Sequence, residues 1–196
     1  NAYRNGDTVT VLSNTGSMAL SGYTFAGWNT ALDGTGTQQA TGSTFTMGSD
    51  NVTLYAQWTL IPTYTVTYNS NGASSGSAPT DPNAYRNGDT VTVLSNTGSM
   101  VLSGYTFAGW NTALDGSETQ QATGSTFTMG SSNVTLYAQW SANPTYNVTY
   151  DDNGSDSGSV PTDSTAYQQG ATVTVLSNTG NLARTGYSFT GWNTAA

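Results

Sequence analysis

The sequence contains no cysteine, no histidine and no lysine, and each absence excludes a class of function. Without cysteine there are no disulfides and no thiolate metal sites. Without histidine the chain lacks the usual general base and the commonest metal ligand. Without lysine there is no amine nucleophile, and Asp, Ser, Thr and Tyr alone form no nucleophile–base constellation here. We therefore predict no enzymatic activity and no cofactor.

Positive charge is also scarce. The chain has three arginines, Arg4, Arg86 and Arg184, and a formal net charge of −8. Phosphate backbones and anionic membranes are bound by clustered cations, so we expect no nucleic-acid partner and no anionic-membrane partner. No apolar run approaches the ~18 residues that a membrane-spanning helix needs, so we expect no membrane insertion of this segment.

What the sequence does contain is a repeat. The segment NAYRNGDTVTVLSNTGSM opens at Asn1 and returns 82 residues later at Asn83. A looser copy, TAYQQGATVTVLSNTGNL, opens at Thr165 after the same interval. A fixed period of this length indicates one folded unit used several times in a row. We therefore predict a tandem array, in which neighbouring repeats contact each other.

Two proline-containing stretches mark the boundaries between repeats, because they interrupt the alternation of apolar and polar residues. We predict repeat 1 over residues 1–58, a linker over 59–63, repeat 2 over 64–140, a linker over 141–145 and repeat 3 over 146–196. Only repeat 2 is complete. Repeat 1 lacks the opening strand and repeat 3 lacks the C-terminal strands, so we expect the chain to be part of a longer protein.

The pattern within the complete repeat is that of β-strands. Tyr64–Tyr68 and Thr90–Leu94 alternate apolar and polar residues, which indicates half-buried strands. Gly109 interrupts the alternation between Phe107 and Trp110, which predicts a β-bulge that turns Trp110 toward the core. No segment has an apolar stripe of helical period. We predict small, mainly β domains with at most one short helix each. The predicted core is Tyr64, Val66, Tyr68, Val91, Val93, Leu102, Tyr105, Phe107, Trp110, Phe127, Met129, Val134, Leu136, Ala138 and Trp140.

Three segments in a fixed order carry a resemblance to a known family. They are YTVTY followed by NG, then GYTFAGW, then FTM followed by NVTLYAQW. This frame resembles the Listeria–Bacteroides repeat, also described as the internalin B-repeat type, over essentially the whole chain. The resemblance implies β-grasp-like domains in tandem on secreted or surface-anchored bacterial proteins, without catalytic residues. Many relatives have Pro after the Met of FTM, where this chain has Gly48 and Gly130, which affects the following turn.

One acidic loop is a calcium candidate. Asp151, Asp152 and Asp156 place carboxylates at close spacing, and calcium prefers oxygen ligands. The Gly is not where an EF-hand loop needs it and no distal Glu follows. The corresponding loop of repeat 2 carries no carboxylate. The alternative interpretation is a solvated turn, which is the one we favour.

Two tyrosines are candidates for binding a partner. Tyr55 and Tyr137 lie at the polar parity of the last strand of their repeats, where exposed aromatic rings form platforms for sugars or proteins. The alternative is that they pack in the core, as the recurring tryptophans are expected to do. The sequence leaves both interpretations open.

Two functional hypotheses follow from the sequence. The first is a non-enzymatic structural region, namely a stalk, a spacer or a component of an extracellular fibre, located outside the cell or on its surface. The second is an adhesion module that recognises a glycan or a host or cell-surface protein. A sharper form of the first hypothesis is strand pairing between copies of the chain, because repeat 1 would expose an unpaired sheet edge.

Overall fold

The structure is a computed structural model that describes residues 2–195, and every regular element in that range is a β-strand. The prediction of mainly β domains in tandem is confirmed, and no helix forms between residues 2 and 195. The strands of the first copy are β1 Thr8–Thr10, β2 Tyr23–Asn29, β3 Gln38–Gln39, β4 Thr44–Thr46 and β5 Tyr55–Leu60. The strands that follow up to Ala142 are β6 Thr63–Tyr64, β7 Val66–Asn69, β8 Tyr85–Arg86, β9 Thr90–Thr92, β10 Tyr105–Asn111, β11 Gln120–Gln121, β12 Thr126–Thr128 and β13 Val134–Ala142. The last two are β14 Thr145–Tyr146 and β15 Tyr167–Gln168.

Contacts between Cα atoms divide the chain into two compact units. The first unit holds the residues up to Val66 together with Pro82–Val91 and Thr126–Val134. Its sheets have the strand orders β3-β2-β5, β1-β4, β6-β8 and β12-β9. The second unit holds Thr67–Asp81, Thr92–Ser125 and the residues from Thr135 onward. It contains the largest sheet, of order β11-β10-β13-β7, and the pair β14-β15. The predicted repeat boundaries remain predictions.

The bulge predicted at Gly109 is present. Strand β10 pairs antiparallel with β13, and the register shifts between Phe107 and Gly109. Gly109 has φ of 115°, in the left-handed region that side chains disfavour, and a Cβ there would lie 3.0 Å from the side chain of Gln120. Trp110 is consequently turned inward and is 0% exposed. Residue 27 repeats this geometry, since β2 shifts its register against β5 at the same point.

Trp110 is the centre of the packing in the second unit. Its indole N–H donates to the carbonyl of Leu94 at 2.8 Å, so the largest side chain is buried without an unpaired donor. The rings of Tyr68 and Phe107 contact it edge to face, with centroids 4.7 and 5.1 Å away. Tyr68 also contacts the segment around Leu94, because its hydroxyl accepts the N–H of Leu94 at 2.9 Å. One tryptophan therefore ties three segments together.

The three copies show what each part of a repeat covers. Val11 and Val93 are 2% and 1% exposed, and their N–H groups donate to Ser43 and Ser125. The corresponding Val175 is 62% exposed. Copies one and two have the C-terminal strands that follow this position, and the third copy has none up to residue 195. The C-terminal strands therefore cover this valine.

The opening segment of a repeat, residues 67–81 in the second copy and 149–163 in the third, covers a different position. Met100 is 3% exposed and Leu182, its counterpart, is 8% exposed. In both copies the opening segment forms a β-bridge to the residue that follows this buried side chain. Ser75 bridges to Val101, and Ser157 bridges to Ala183. Met18 is 41% exposed, and residues 2–17 contain no such segment. The same side chain is therefore buried or exposed according to whether an opening segment precedes it.

Three details of the predicted core and strands are wrong. Tyr105 was expected inside and is 45% exposed, because it is the first residue of β10 and lies at the end of the sheet, opposite the exposed Ala142. Met100 was not expected inside and is buried, since no alternating pattern surrounds it. The opening strand predicted at Tyr64–Tyr68 is divided into β6 Thr63–Tyr64 and β7 Val66–Asn69. It is interrupted at Thr65, whose N–H donates to the side chain of Asn133 at 2.9 Å.

Met100 and Met18 provide a matched pair for testing this account. We expect Met100→Ala to lower the free energy of local opening by about 2–5 kcal/mol, because it leaves a cavity in a closed core. We expect Met18→Ala to cost less than about 1 kcal/mol, because that side chain is already partly in solvent. Hydrogen exchange at the amides of Val93 and Val11 measures both values. Equal costs for the two substitutions would contradict the role given to the opening segment.

Candidate functional sites

The two candidate tyrosines lie at equivalent positions in two sheets. Tyr137 in β13 pairs with Asn111, and Tyr55 in β5 pairs with Asn29. Both tyrosines are half-buried, so each exposes part of its ring. Each belongs to its own copy of the repeat, so the pair does not make one site. A partner-binding role for either tyrosine stays a prediction.

A buried amide beside each tyrosine is a feature that sequence reasoning missed. Asn111 is 1% exposed and donates to the carbonyls of Gly116 and Glu118, both at 3.1 Å, while its Oδ1 accepts the N–H of Ala113 at 2.8 Å. Asn29 is 1% exposed and binds its own loop in the same way. The signal that could have revealed it is the recurrence of Asn after Gly-Trp in all copies. The side chain fixes a polar loop, and every one of its bonds is satisfied within the repeat.

The acidic loop forms local turns. Asp151 accepts the N–H of Asn153 at 2.8 Å, and Asp152 accepts the N–H of Gly154 at 3.1 Å. Asp156 accepts the N–H of Thr185, a bond that lowers the pKa of the Asp156 carboxyl, with Arg184 as a smaller cause. Within residues 2–195 no three carboxylates come together in a group that could hold a metal ion. The described part of the chain also has no helix long and apolar enough to cross a bilayer.

The junction that follows β13 is hydrogen-bonded along nearly its whole length. Ser141 and Ala142 are still part of β13, where they pair with Thr106 and Tyr105. The N–H of Asn143 donates to the carbonyl of Gly104 at 2.9 Å, and its Oδ1 accepts the hydroxyl of Thr106 at 2.6 Å.

The chain then enters the next ladder directly. Thr145 and Tyr146 pair with Gln168 and Tyr167. Pro144, which has no N–H to donate, lies between the two ladders. The residues predicted as a linker therefore carry ladder hydrogen bonds on both sides of one proline.

The earlier junction repeats this arrangement. Strand β5 runs through Leu60, and the N–H of Ile61 donates to the carbonyl of Gly22 at 2.8 Å. After Pro62, residues Thr63 and Tyr64 pair with β8. The two junctions differ in sequence but have the same construction. This indicates that the main-chain ladders, rather than a particular linker side chain, determine the conformation of the junction.

The third copy contains an open groove of about 800 Å³. Its apolar lining includes Val175, Phe189 and Trp192, of which the first two are 62% and 47% exposed. The tryptophan in this groove keeps the contacts that Trp110 makes in the second copy. The indole of Trp192 donates to Leu176 at 2.8 Å, and Tyr150 packs on Trp192 with a centroid distance of 4.7 Å. The groove lies at the position that the C-terminal strands occupy in the preceding copy.

Comparison with known proteins identifies the repeat. The family model described as the Listeria-Bacteroides repeat domain matches residues 1–57, 64–139 and 146–196. A protein of Evansella cellulosilytica named "Putative Gly-rich membrane protein" is 42% identical over 152 residues, which cover 75% of this chain and 17% of that protein. A second Evansella cellulosilytica protein, named "Putative membrane protein", is 47% identical over 96 residues, covering 48% of this chain and 14% of that protein.

A third relative comes from another genus. Internalin H of Listeria monocytogenes is 36% identical over 123 residues, which cover 62% of this chain and 20% of that protein. The chain thus spans a fifth or less of the length of the relatives it matches. No solved structure matches the chain.

The titration of Asp156 tests the description of the acidic loop. We expect the pKa of its carboxyl to lie below the ordinary value of 3.8, because the backbone N–H of Thr185 stabilises the ionised form. The stability that this bond contributes is present above the unfolded pKa and is lost as pH falls through the folded pKa. The carboxyl ¹³C shift followed from pH 6 to 2 measures it. A shift of the Asp151, Asp152 and Asp156 signals on adding calcium at pH 7 would instead favour the metal site.

Proposed function

The chain belongs to the Listeria-Bacteroides repeat domain family, and from that premise we propose that it is a non-enzymatic structural repeat region of a bacterial surface protein. Its role is that of a stalk, a spacer or a fibre component outside the cell. The similarity to internalin H and to two proteins named as membrane proteins supports a location at the cell surface. Its partners are the neighbouring repeats and, in a fibre, other copies of the chain.

The observation that carries the proposal is the construction of the two junctions. A flexible tether would consist of residues without regular hydrogen bonds, and its reach would grow only with the square root of its length. Here β13 continues to Ala142, Asn143 is held by Gly104 and Thr106, and a new ladder begins at Thr145. Bending anywhere along residues 141–146 other than at Pro144 has to break main-chain hydrogen bonds. We infer that junctions held in this way restrict motion between neighbouring repeats, which is the property a spacer requires.

The composition supports the same role. Charged side chains make up 7% of the residues, and Ser, Thr, Asn and Gln supply most of the polar side chains. Such a surface offers few charged groups for salt to screen, so its solubility depends little on ionic strength. A spacer outside the cell benefits from that independence. Cysteine-free repeats also keep their fold in both oxidising and reducing surroundings.

Backbone dynamics at the second junction test the spacer proposal. We expect amide order parameters of about 0.85 for residues 141–146 other than Pro144, as in rigid backbone, because their main-chain groups are hydrogen-bonded. Thr106→Val removes the hydroxyl that Asn143 accepts and should lower the order parameter at Asn143. The matched control is Thr24→Val in the first copy, which should leave Asn143 unchanged. Values below about 0.6 across the junction in the unaltered chain would contradict a spacer.

The alternative role is adhesion through the half-buried tyrosines. It predicts saturable binding to a glycan or a surface protein that Tyr137→Ala abolishes while the fold remains intact. The matched control is Tyr105→Ala, because Tyr105 is exposed in the same sheet but lies outside the candidate site. A glycan array and a pull-down with surface proteins measure both. Saturable binding lost only in Tyr137→Ala would favour recognition over spacing.

A further inference from the structure

The largest sheet has an outer face that is polar and uncharged where β13 and β7 lie side by side. These two strands are neighbours in the sheet order β11-β10-β13-β7. Their core face is closed, since Val66 and Leu136 are 2% and 0% exposed. Side chains alternate between the two faces of a strand, so the intervening residues point outward. The outer-face cluster, as we call it, consists of Thr67, Asn69, Thr135 and Tyr137.

Two contacts show that β7 and β13 run parallel within the complete second copy. The hydroxyl oxygens of Thr67 and Thr135 lie 3.1 Å apart. Further along both strands, the side-chain amide of Asn71 donates to the carbonyl of Ala138 at 2.8 Å. The contacts advance in the same direction on both strands. The residue two positions after Thr67 therefore lies beside the residue two positions after Thr135.

This register places Asn69 beside Tyr137, and each of them has a polar group to offer. The Oδ1 of Asn69 accepts the N–H of Asn71 at 2.9 Å, whereas its NH₂ group has no hydrogen-bond partner within residues 2–195. The hydroxyl of Tyr137 likewise has none in that part of the chain. Asn69 is exposed and Tyr137 is half-buried. The cluster thus combines part of an aromatic ring with an amide donor and hydroxyls that can donate or accept.

The end of β7 is fastened close to these groups. Besides its bond to Ala138, the amide of Asn71 donates to the carbonyl of Leu114 at 3.0 Å. In return, the indole of Trp140 donates to the carbonyl of Asn71 at 3.1 Å. Asn69 lies only two residues before this attachment. Polar groups carried on fastened strands are positioned more precisely than groups on loops, which favours binding without a large ordering cost.

We propose that the outer-face cluster binds an uncharged polysaccharide, with one pyranose ring stacked on the exposed part of Tyr137. A tyrosine ring offers apolar surface to the C–H face of a sugar, and its hydroxyl remains polar. The NH₂ group of Asn69 donates to a sugar hydroxyl, and the hydroxyls of Thr67 and Thr135 bind the neighbouring sugar unit. The proposal specifies the ligand class and the residues of the adhesion role, on which it rests.

The chemistry of the cluster favours this ligand over other polymers. None of its four residues is charged, and the chain has three arginines against a net charge of −8. An anionic polymer would find no cation in the cluster and would be repelled by the chain as a whole. The centre of a protein interface is typically an apolar patch with several anchoring side chains, whereas this cluster has a single ring among hydroxyls and an amide. Sugars present the complementary pattern of C–H faces and hydroxyl edges.

An NMR titration of the whole chain tests the proposal. The probes are linear β-1,4-linked pentasaccharides of glucose, of mannose and of galactose. At least one should shift the Tyr137 ring signals and the Asn69 side-chain amide signals in a saturable way, with Kd of about 1 mM or tighter. A pentasaccharide of galacturonate, which carries a carboxylate on each ring, should bind at least about tenfold more weakly than the best of the three. The proposal is overturned if none of the three shifts these signals at about 10 mM, or if the anionic probe binds equally well.

Asn69→Asp tests the amide donor. The variant keeps the oxygen that accepts the N–H of Asn71 and replaces the donor by a negative charge. We expect the affinity, followed on the Tyr137 ring signals, to fall at least about tenfold, because an acceptor now faces a sugar hydroxyl without a donor. The matched control is Asn87→Asp, the same substitution at an exposed residue outside the cluster, which should bind like the unaltered chain. Unchanged affinity in folded Asn69→Asp overturns the proposal.

Tyr137→Phe covers the case in which Asn69→Asp unfolds the repeat. It keeps the ring and removes the hydroxyl, so the affinity should fall about fivefold, the effect of losing one hydrogen bond. Tyr105→Phe, in the same sheet but outside the cluster, should have no effect. If Tyr137→Ala abolishes binding to a glycan or a protein while Asn69→Asp and Tyr137→Phe leave it unchanged, the adhesion role stands and this polysaccharide site is overturned. The spacer role depends on the junctions and is tested separately by their order parameters.

Discussion

The hydrogen bond from a tryptophan indole to the leucine carbonyl sixteen residues earlier is the interaction on which each repeat depends. It joins Trp28 to Leu12, Trp110 to Leu94 and Trp192 to Leu176, each time at 2.8 Å. A large ring with a polar N–H can be buried only where an acceptor is waiting. In the first two copies, a bulge at the preceding glycine turns the ring toward that acceptor. The bond persists in copies that lack their opening or their closing strands, so it belongs to the part of the repeat that all copies share.

The cores and edges of the copies follow from what surrounds this shared part. Closing strands bury the valine that precedes the leucine, and the opening segment buries Met100 or Leu182. Each covering element also pairs main-chain groups that would otherwise be unpaired at a sheet edge. Each complete repeat therefore consists of a part that all copies share and two elements that cover it, namely the opening segment and the C-terminal strands. This division accounts for the hydrogen-bonded junction after β13, where one covering strand runs on into the next ladder.

Much of this fold could be predicted from the sequence, because alternation and glycine breaks are local signals. The strands around Val91, Phe127 and Leu136 and the bulge at Gly109 depend on such patterns. Burial of Met100 could not be predicted, since it depends on a segment more than twenty residues away that has no periodic signal of its own. The exposure of Tyr105 was missed because it has the parity of the inward Phe107, and alternation gives no signal for the strand end at which the core stops. The buried Asn111 was missed because polar residues next to a turn usually lie in solvent. The tyrosine and calcium predictions concern partners, and a single chain holds no partner that could reveal them.

The central claim is that the interval of 82 residues marks one self-contained β module built around its tryptophan. The most direct measurement is to express residues 63–143 alone and record circular dichroism and ¹H–¹⁵N NMR spectra. The account predicts a β spectrum, dispersed amide signals and a Trp110 indole N–H at the position it has in the whole chain, because the Leu94 acceptor lies within the fragment. An unstructured or helical fragment, or an indole signal at the position of free tryptophan, would contradict it.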